Sequence, residues 1–413
     1  MIIFAMHSSW GRGGSTINLG FIVKTLVRKG HTVIVLNRYK DEGSLFLEEC
    51  GAKTININFP LKMNTTTILE DVDLSLIMII KQNLKDLLRI IVGFVLTFYY
   101  LRKIKPDILF LADAVFPQCA IVGFILEVPT VCNIQAEIIH GRWGIRRYFL
   151  IKIINKCDRI FGITRAHIKP FVEKSLDIKK FDVIHNTIQI EEHDKIKHIN
   201  DNDWLSLEIP EGKYIISYFG GASIIKGYKL LLEIIKEIVS KRSDVIFLFA
   251  GAYHRDYSSK WSTGTDPGKL SLRETRILFD WIDKYELNSH IRIVGERSDV
   301  IAIMRRSAVI VVPNKLPHFS RPIMEAFAVK TPVLATDDVF NRELIQDGIN
   351  GLLAVYGQVN VWVKKMEQLL DDGSLAEKIS QNGYSSFLSN YDPIVISSKI
   401  VDTFEIIGNQ KKK

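Results

Sequence analysis

The chain has 413 residues, 47% of them hydrophobic and 24% charged, with a formal net charge of +8 and a sequence pI near 9.1. That length exceeds one ordinary core and predicts two domains, and the mixture is globular rather than disordered. The basic balance favours anionic partners such as nucleotides, phospholipid head groups or nucleic acid, and no nucleic-acid module is visible to support the last of these. Four cysteines, Cys50, Cys119, Cys132 and Cys157, are scattered without a CxxC pair, which argues against a zinc site or a disulfide framework and suits a reducing cytoplasm. The opening, MIIFAMHSSWGRGG, has no basic leader region and reads as a first strand running into a loop rather than as a secretory signal.

The first half alternates strands and helices. A strand over 2–6 meets the loop Gly11-Arg12-Gly13-Gly14, a helix over 16–29 follows, and Gly30-His31 turns into a strand over 32–36. Pro106 precedes a strand over 107–111, and Val128-Pro129 leads into one over 130–134. A helix over 145–156 is followed by strands over 159–163 and 181–184. Repeated β-loop-α units imply a parallel, doubly wound sheet. The polar stretch 191–211 reads as a linker, and a second series then places strands over 214–219, 245–250, 290–294, 308–312 and 333–335. Residues 253–269 read as an irregular loop, and 370–407 are helical in pattern.

The most membrane-like run, residues 90–101 (IIVGFVLTFYYL), has 12 residues, short of the roughly 20 a span needs. An amphipathic stretch precedes it, and Lys81, Lys85, Arg89, Arg102, Lys103 and Lys105 flank it. A buried core helix and an interfacial helix near lipid head groups both fit, and composition leaves the choice open.

Two stretches of the second series suit anion chemistry. Tyr218-Phe219-Gly220-Gly221-Ala222-Ser223-Ile224-Ile225-Lys226-Gly227 follows its first strand; the glycines let backbone approach a phosphate, and Lys226 adds a charge at a helix start. Residues 307–337 read as strand, loop, helix, strand, with Pro322 in the first helical turn and Glu325 just inside it. Such a helix begins on the carboxyl edge of a parallel sheet, where open α/β folds bind ligands. No Ser-His-Asp arrangement, metal-ligand cluster or P-loop is visible.

Phe319, Pro322, Glu325, Ala326, Ala328, Pro332 and Val333 resemble the pattern E-x-F-G-x-P-x-x-E-A-x-A-x-G-x-P-V of glycosyltransferase family 4, the group 1 glycosyltransferases. Gly220, Lys226 and Gly227 resemble its G-R-L-x-x-x-K-G, and Glu343, Asp347, Gly348 and Gly351 its A-T-D-x-G-G-x-x-E…D-G-x-x-G-L-L. The resemblance implies a GT-B fold: two Rossmann-like doubly wound domains facing a cleft, with the C-terminal helix crossing back to the first. The expected bounds are 1–195 for the acceptor domain, 212–385 for the donor domain and 386–413 for the returning helix. It implies a retaining glycosyltransferase of hexosyltransferase type. Such an enzyme moves a sugar from a nucleotide-sugar co-substrate to a glycan or lipid-linked acceptor in cell-surface polysaccharide synthesis. No metal and no cofactor are expected, and the place implied is the cytoplasm or the inner face of an anionic membrane.

By the same resemblance Lys226 and Glu325 are the expected catalytic pair, Lys226 on the diphosphate and Glu325 on the donor ribose. Gly220, Gly221, Glu296, Arg297, Phe319, Ser320, Arg321, Pro322 and Ile323 are the further donor-binding candidates. Arg12, Gly13 and Gly14 form the first domain's cleft loop. Gln135, Glu137 and His140 fall where the family has a histidine near the acceptor. The chain departs from the family at Pro317 for the first acid, at Gly221 for the phosphate Arg, at Ser320, Lys330 and Val339-Phe340 for glycines, and at Thr187. Arg321 or Arg297 is the expected replacement for the missing Arg. A non-catalytic GT-B binding module and a sugar-nucleotide epimerase are the rival readings.

Overall fold

The computed structural model describes residues 1–7, 11, 13–59, 61–63, 76–135, 145–188, 209–251, 267–297 and 299–410. Two compact units emerge, Met1–Asn186 with Ile394–Lys413, and Thr187–Pro393.

The first unit holds strands β1 (Ile2–Met6), β2 (Thr32–Asn37), β3 (Lys53–Asn56), β4 (Ile108–Leu111), β5 (Thr130–Ile134), β6 (Arg159–Gly162) and β7 (Phe181–Val183). They pair in parallel in the order β3-β2-β1-β4-β5-β6-β7. Successive residues of a strand face opposite ways, so Ile3 and Ala5 enter one core cluster while Phe4 and Met6 enter another. Both faces of the central strands β1 and β4 are covered, which is why these two are unbroken apolar runs rather than alternating ones. The helix Pro393–Gln410 belongs to this unit: Ile396, Ile400, Phe404 and Ile407 fall on one helical face and complete its core, with the Phe404 ring edge-on to Phe110 at 5.3 Å. Residues 386–390, expected in the returning helix, instead end the helix Gly373–Asn390, because the chain breaks at Tyr391-Asp392 before Pro393.

The second unit repeats the plan with β8 (Tyr214–Phe219), β9 (Val245–Ala250), β10 (Ile291–Gly295), β11 (Val309–Val312), β12 (Val333–Thr336) and β13 (Leu352–Ala354), in the order β10-β9-β8-β11-β12-β13. Val309 and Val311 pack on one face of the sheet, Ile310 and Val312 on the other. The expected loop over 253–269 ends early, since Pro267 opens the helix Pro267–Lys284; residues 252–266 lie outside the described part. Most of the expected linker over 191–211 also lies outside it.

The stretch around residues 90–101 is part of one 29-residue helix, Leu76–Ile104. Thr97 and Gly93 of this helix pack against Cys119 and Gln118 of the helix Pro117–Ile125, with Thr97 Oγ1 3.1 Å from Cys119 Sγ. Among the described residues no helix is long and apolar enough to cross a membrane.

Candidate active site

In the second sheet, β8 has β9 on one side and β11 on the other, so the chain reverses its winding direction between β8 and β11. Loops leave the carboxyl ends of both strands there and open a crevice, the usual ligand position in such sheets. The loop after β8 is tied down from both sides. Gly221 (φ +59°) and Gly227 (φ +75°) take left-handed backbone that only glycine adopts cheaply. A methyl group on Gly227 would strike the carbonyl oxygen of Pro313, and one on Gly251 would meet Gly221 N at 2.6 Å. Lys315 N donates to Ile225 O at 2.8 Å, fastening this loop to the one after β11. The buried Tyr218 hydroxyl donates to Gly221 O at 3.2 Å and reaches Lys226 O at 3.3 Å. These bonds fix where Lys226 stands, just before the helix Tyr228–Val239.

After β11 the chain runs through residues 313–320 into the helix Arg321–Ala328, whose N-cap Ser320 makes no side-chain capping bond. The Arg321 amide gets no side-chain cap, Pro322 has no N–H, and the helix dipole favours an anion. Arg321 Nε donates to Glu325 Oε1 at 2.7 Å, an i,i+4 pair with side chains 26% and 12% exposed. Glu325 Oε2 has no hydrogen-bond partner among the described residues. Lys226 is exposed, yet the protein packed around its ammonium lowers its pKa by desolvation, and the Glu325 carboxylate acts in the opposite direction. His318 completes the group. Its Nδ1 donates to Leu316 O at 2.9 Å, which leaves Nε2 an acceptor in the neutral ring; desolvation first, and Lys226 as well, lower its pKa.

At the switch point Glu325 thus acts on both Arg321 and Lys226, and Lys226 acts on His318. Other candidates have internal duties. Ser320 is buried, with its hydroxyl accepting from Asn314 Nδ2 at 2.5 Å, and Ile323 is fully buried in the core with its amide donating to Ser320 O at 3.1 Å. Neither side chain is turned toward a ligand. Phe319 packs against the same core, and Pro322 fills the first helical turn. Gly220 is required by close approach, since a methyl there would strike the Tyr218 phenol. Glu296 and Arg297 follow β10, two strands from β8, about 10 Å along the sheet. Arg297 grips Asp299 with Nε at 2.7 Å and Nη2 at 2.5 Å, so its fork is committed there; of the two replacements expected for the missing Arg, Arg321 is the one paired with Glu325. A polar cavity of about 570 Å³, lined by Arg342, Glu343, Asp347, Ser386 and Tyr391 among others, includes none of the expected donor residues.

A family model described as "Glycosyl transferases group 1" matches residues 201–386, the segment that carries this cluster. That segment matches the family, and the chain is a glycosyltransferase. It is 24% identical over 327 residues to the capsular polysaccharide biosynthesis glycosyltransferase CapM of Staphylococcus aureus, covering 73% of this chain and 75% of that one. An uncharacterized glycosyltransferase of Methanocaldococcus jannaschii is 28% identical over 57% of this chain and 56% of its own length. The solved structure of HepE from Anabaena in complex with UDP superposes with a TM-score of 0.76 at 17% identity, over 98% of this chain and 100% of that one. Its complex with UDP-glucose gives 0.73. The glycosyltransferase accordingly has the GT-B fold of two Rossmann-like units.

In the first unit of this glycosyltransferase, β1 lies between β2 and β4 and makes a second switch point. Gly13 caps the helix Gly14–Arg28 without a side-chain bond, and among the described residues added methyls on Gly13 or Gly14 would meet nothing within 4 Å. Arg12 lies outside the described residues, as do Glu137 and His140. Gln135 is tied inward, donating Nε2 to Ala112 O at 3.1 Å. The residue at this edge that spacing did not single out is His7: it is buried, with Nε2 3.2 Å from Thr16 Oγ1, and burial lowers its pKa to about 4. The only sequence signal for His7 was its place at the carboxyl end of the first strand. Among the described residues no cluster of three His, Cys, Asp or Glu side chains could hold a metal.

Proposed function

We propose that this glycosyltransferase moves a sugar from a nucleotide sugar to a glycan or lipid-linked acceptor, with retention at the anomeric carbon, in the synthesis of a cell-surface polysaccharide. The observation that carries the reading is the grouping of Lys226, Arg321 and Glu325 around an uncapped helix start at the switch point of the second sheet. A diphosphate leaving group gains charge as the glycosidic bond breaks, and preorganised cations and amides aimed at it lower the barrier. Lys226 supplies a compact ammonium there, and Arg321 a second cation in place of the Arg that Gly221 displaces. Glu325 accepts the ribose hydroxyls through Oε2 while Arg321 steadies its other oxygen. The two cations do the work a divalent ion would do, so no metal or cofactor takes part, and transfer survives EDTA. The likeness to CapM supports a polysaccharide product, and the UDP and UDP-glucose complexes of the Anabaena protein support a uridine donor.

The test is a thermal-shift screen of nucleotide sugars, followed by product analysis. A bound donor raises the melting temperature by mass action. The sugar transferred should keep its anomeric configuration by NMR. Conversion of the donor to an epimer without any acceptor would replace the transferase reading with that of a sugar-nucleotide epimerase.

A further inference from the structure

We propose that the first unit docks on an anionic lipid bilayer through an exposed apolar face built by three consecutive helices. In the helix Leu76–Ile104, Asp86, Gly93, Thr97 and Leu101 are buried. Leu84, Leu88, Ile91, Val95 and Tyr99 are 52% to 60% exposed. The exposed set repeats every three to four residues and the buried set every four or seven, and they are offset by two, which is about half a helical turn. The exposed row therefore lies opposite the row that packs on the core. A helix that served only the core would be polar there. From Leu84 to Tyr99 the row is roughly 22 Å long.

The face continues onto the neighbours. The helix Pro117–Ile125 packs against Leu76–Ile104 and ends in Phe124 and Ile125, 59% and 52% exposed. The helix Ile145–Ile154 packs against Pro117–Ile125 and presents Tyr148 and Phe149, 54% and 55% exposed. Singly scattered apolar residues need no explanation, but nine on three adjacent helices do.

Charge selects the occupant. Residues 76–105 carry six Lys and Arg and one acid, Asp86, which is buried and paired with Arg89 at 2.8 Å. Residues 145–156 add Arg146, Arg147, Lys152 and Lys156 with no acid. Several cations sit on the aromatic rings of these helices: Lys156 Nζ lies 4.3 Å from the Phe124 ring centre, and Lys103 Nζ is 3.3 Å from Tyr99 Oη. Apolar row, amphipathic aromatics and an excess of cations over acids together match the head-group region of an anionic leaflet. A second copy fits poorly, since a two-fold contact would set this face against itself and bring like charges together.

The experiment is flotation of the full chain with vesicles of phosphatidylglycerol and phosphatidylcholine, against phosphatidylcholine alone. The protein should float with the anionic vesicles at low salt, and added salt should release part of it. Ile91→Glu with Val95→Glu should lower the bound fraction at least tenfold, with melting temperature and UDP affinity unchanged. Should that variant fold poorly, Lys85→Gln with Lys103→Gln and Lys152→Gln keeps the apolar row and should lose the preference for anionic lipid. The proposal is overturned by no flotation at low salt, by variants that float like the parent, or by self-association in light scattering that the Glu variant abolishes.

Discussion

The two sheets place the same device at the same point, and the two units use it differently. In each, a strand with neighbours from both winding directions, β1 or β8, leads through glycines into a helix whose N-cap makes no side-chain bond. The loop after β8 is bolted to the backbone of Ala250, Pro313 and Lys315, and it presents Lys226 beside Glu325 and His318. Among the described residues nothing lies within 4 Å of a methyl placed on Gly13 or Gly14 after β1, and the polar neighbour His7 is buried as a neutral ring on Thr16. Topology supplies an anion-friendly helix start twice, and in the second unit Lys226 and Glu325 are set beside each other there. A shared fold thus leaves the chemistry to the side chains set on it.

The largest effect expected from this contrast is in the first unit. His7 takes up a proton less readily when folded, so protonation favours the unfolded chain. Its contribution is complete above the ordinary pKa of 6.5 and is lost as pH falls toward about 4. Over that window the first unit should lose about 3 kcal/mol. Urea titrations at several pH values should show the drop, and His7→Gln should flatten it; an equal slope in the variant would place the titration elsewhere. Next is Lys226→Ala, which should lower kcat roughly a hundredfold or more, the scale of losing one preorganised donor to developing charge. Lys226→Arg should keep part of the rate. Near-normal turnover in Lys226→Ala would move the phosphate to another place. Glu325→Ala should weaken nucleoside diphosphate binding by about 1–3 kcal/mol in calorimetry, the scale for charged hydrogen bonds. An unchanged affinity in a folded variant sinks the ribose assignment. The smallest effect is a gain: Gly13→Ser has room for its side chain and should stabilise by a few tenths of a kcal/mol through a new N-cap. A loss of stability there would mean the open space around Gly13 is filled in solution.

Much of the frame was legible because buried parallel strands are short apolar runs that few other structures resemble. β1, β5, β8 and β9 fall on the residues expected of them. The edge strands β3 and β13, four and three residues long, escaped because so short a segment shows no period, and β3 is half-exposed. The helix Glu42–Glu49 had a readable start, with Asp41 accepting from Ser44 N at 2.9 Å, but its eight residues give little amphipathic pattern. Lys330 is instructive in another way. It replaces a glycine of the family pattern yet holds φ +58°, so the backbone still needs the left-handed turn, at a cost of about 1 kcal/mol or more. Of the candidate site, Lys226 and Glu325 could be read from motif spacing, whereas His318 could not. It lies next to the position where the pattern has an acid, and it joins the group only because the loop after β11 folds toward Lys226.

The sequence by itself determined the two-sheet α/β plan, the glycine positions of the loop after β8, and the approach of an acid to a helix start, since these are properties of period, residue type and local spacing. Tertiary structure alone decided which charges meet. Lys226 and Glu325 are ninety-nine positions apart and act on each other only because β8 and β11 are neighbours in the sheet. It also decided that Arg297 is spent on Asp299 while Arg321 reaches Glu325, and that one long helix turns one apolar row inward and another outward. Hydrophobic pattern reports that a side chain avoids water, a one-body property. Pairing of charges and exposure of a face depend on what the rest of the chain brings alongside, which no local pattern contains.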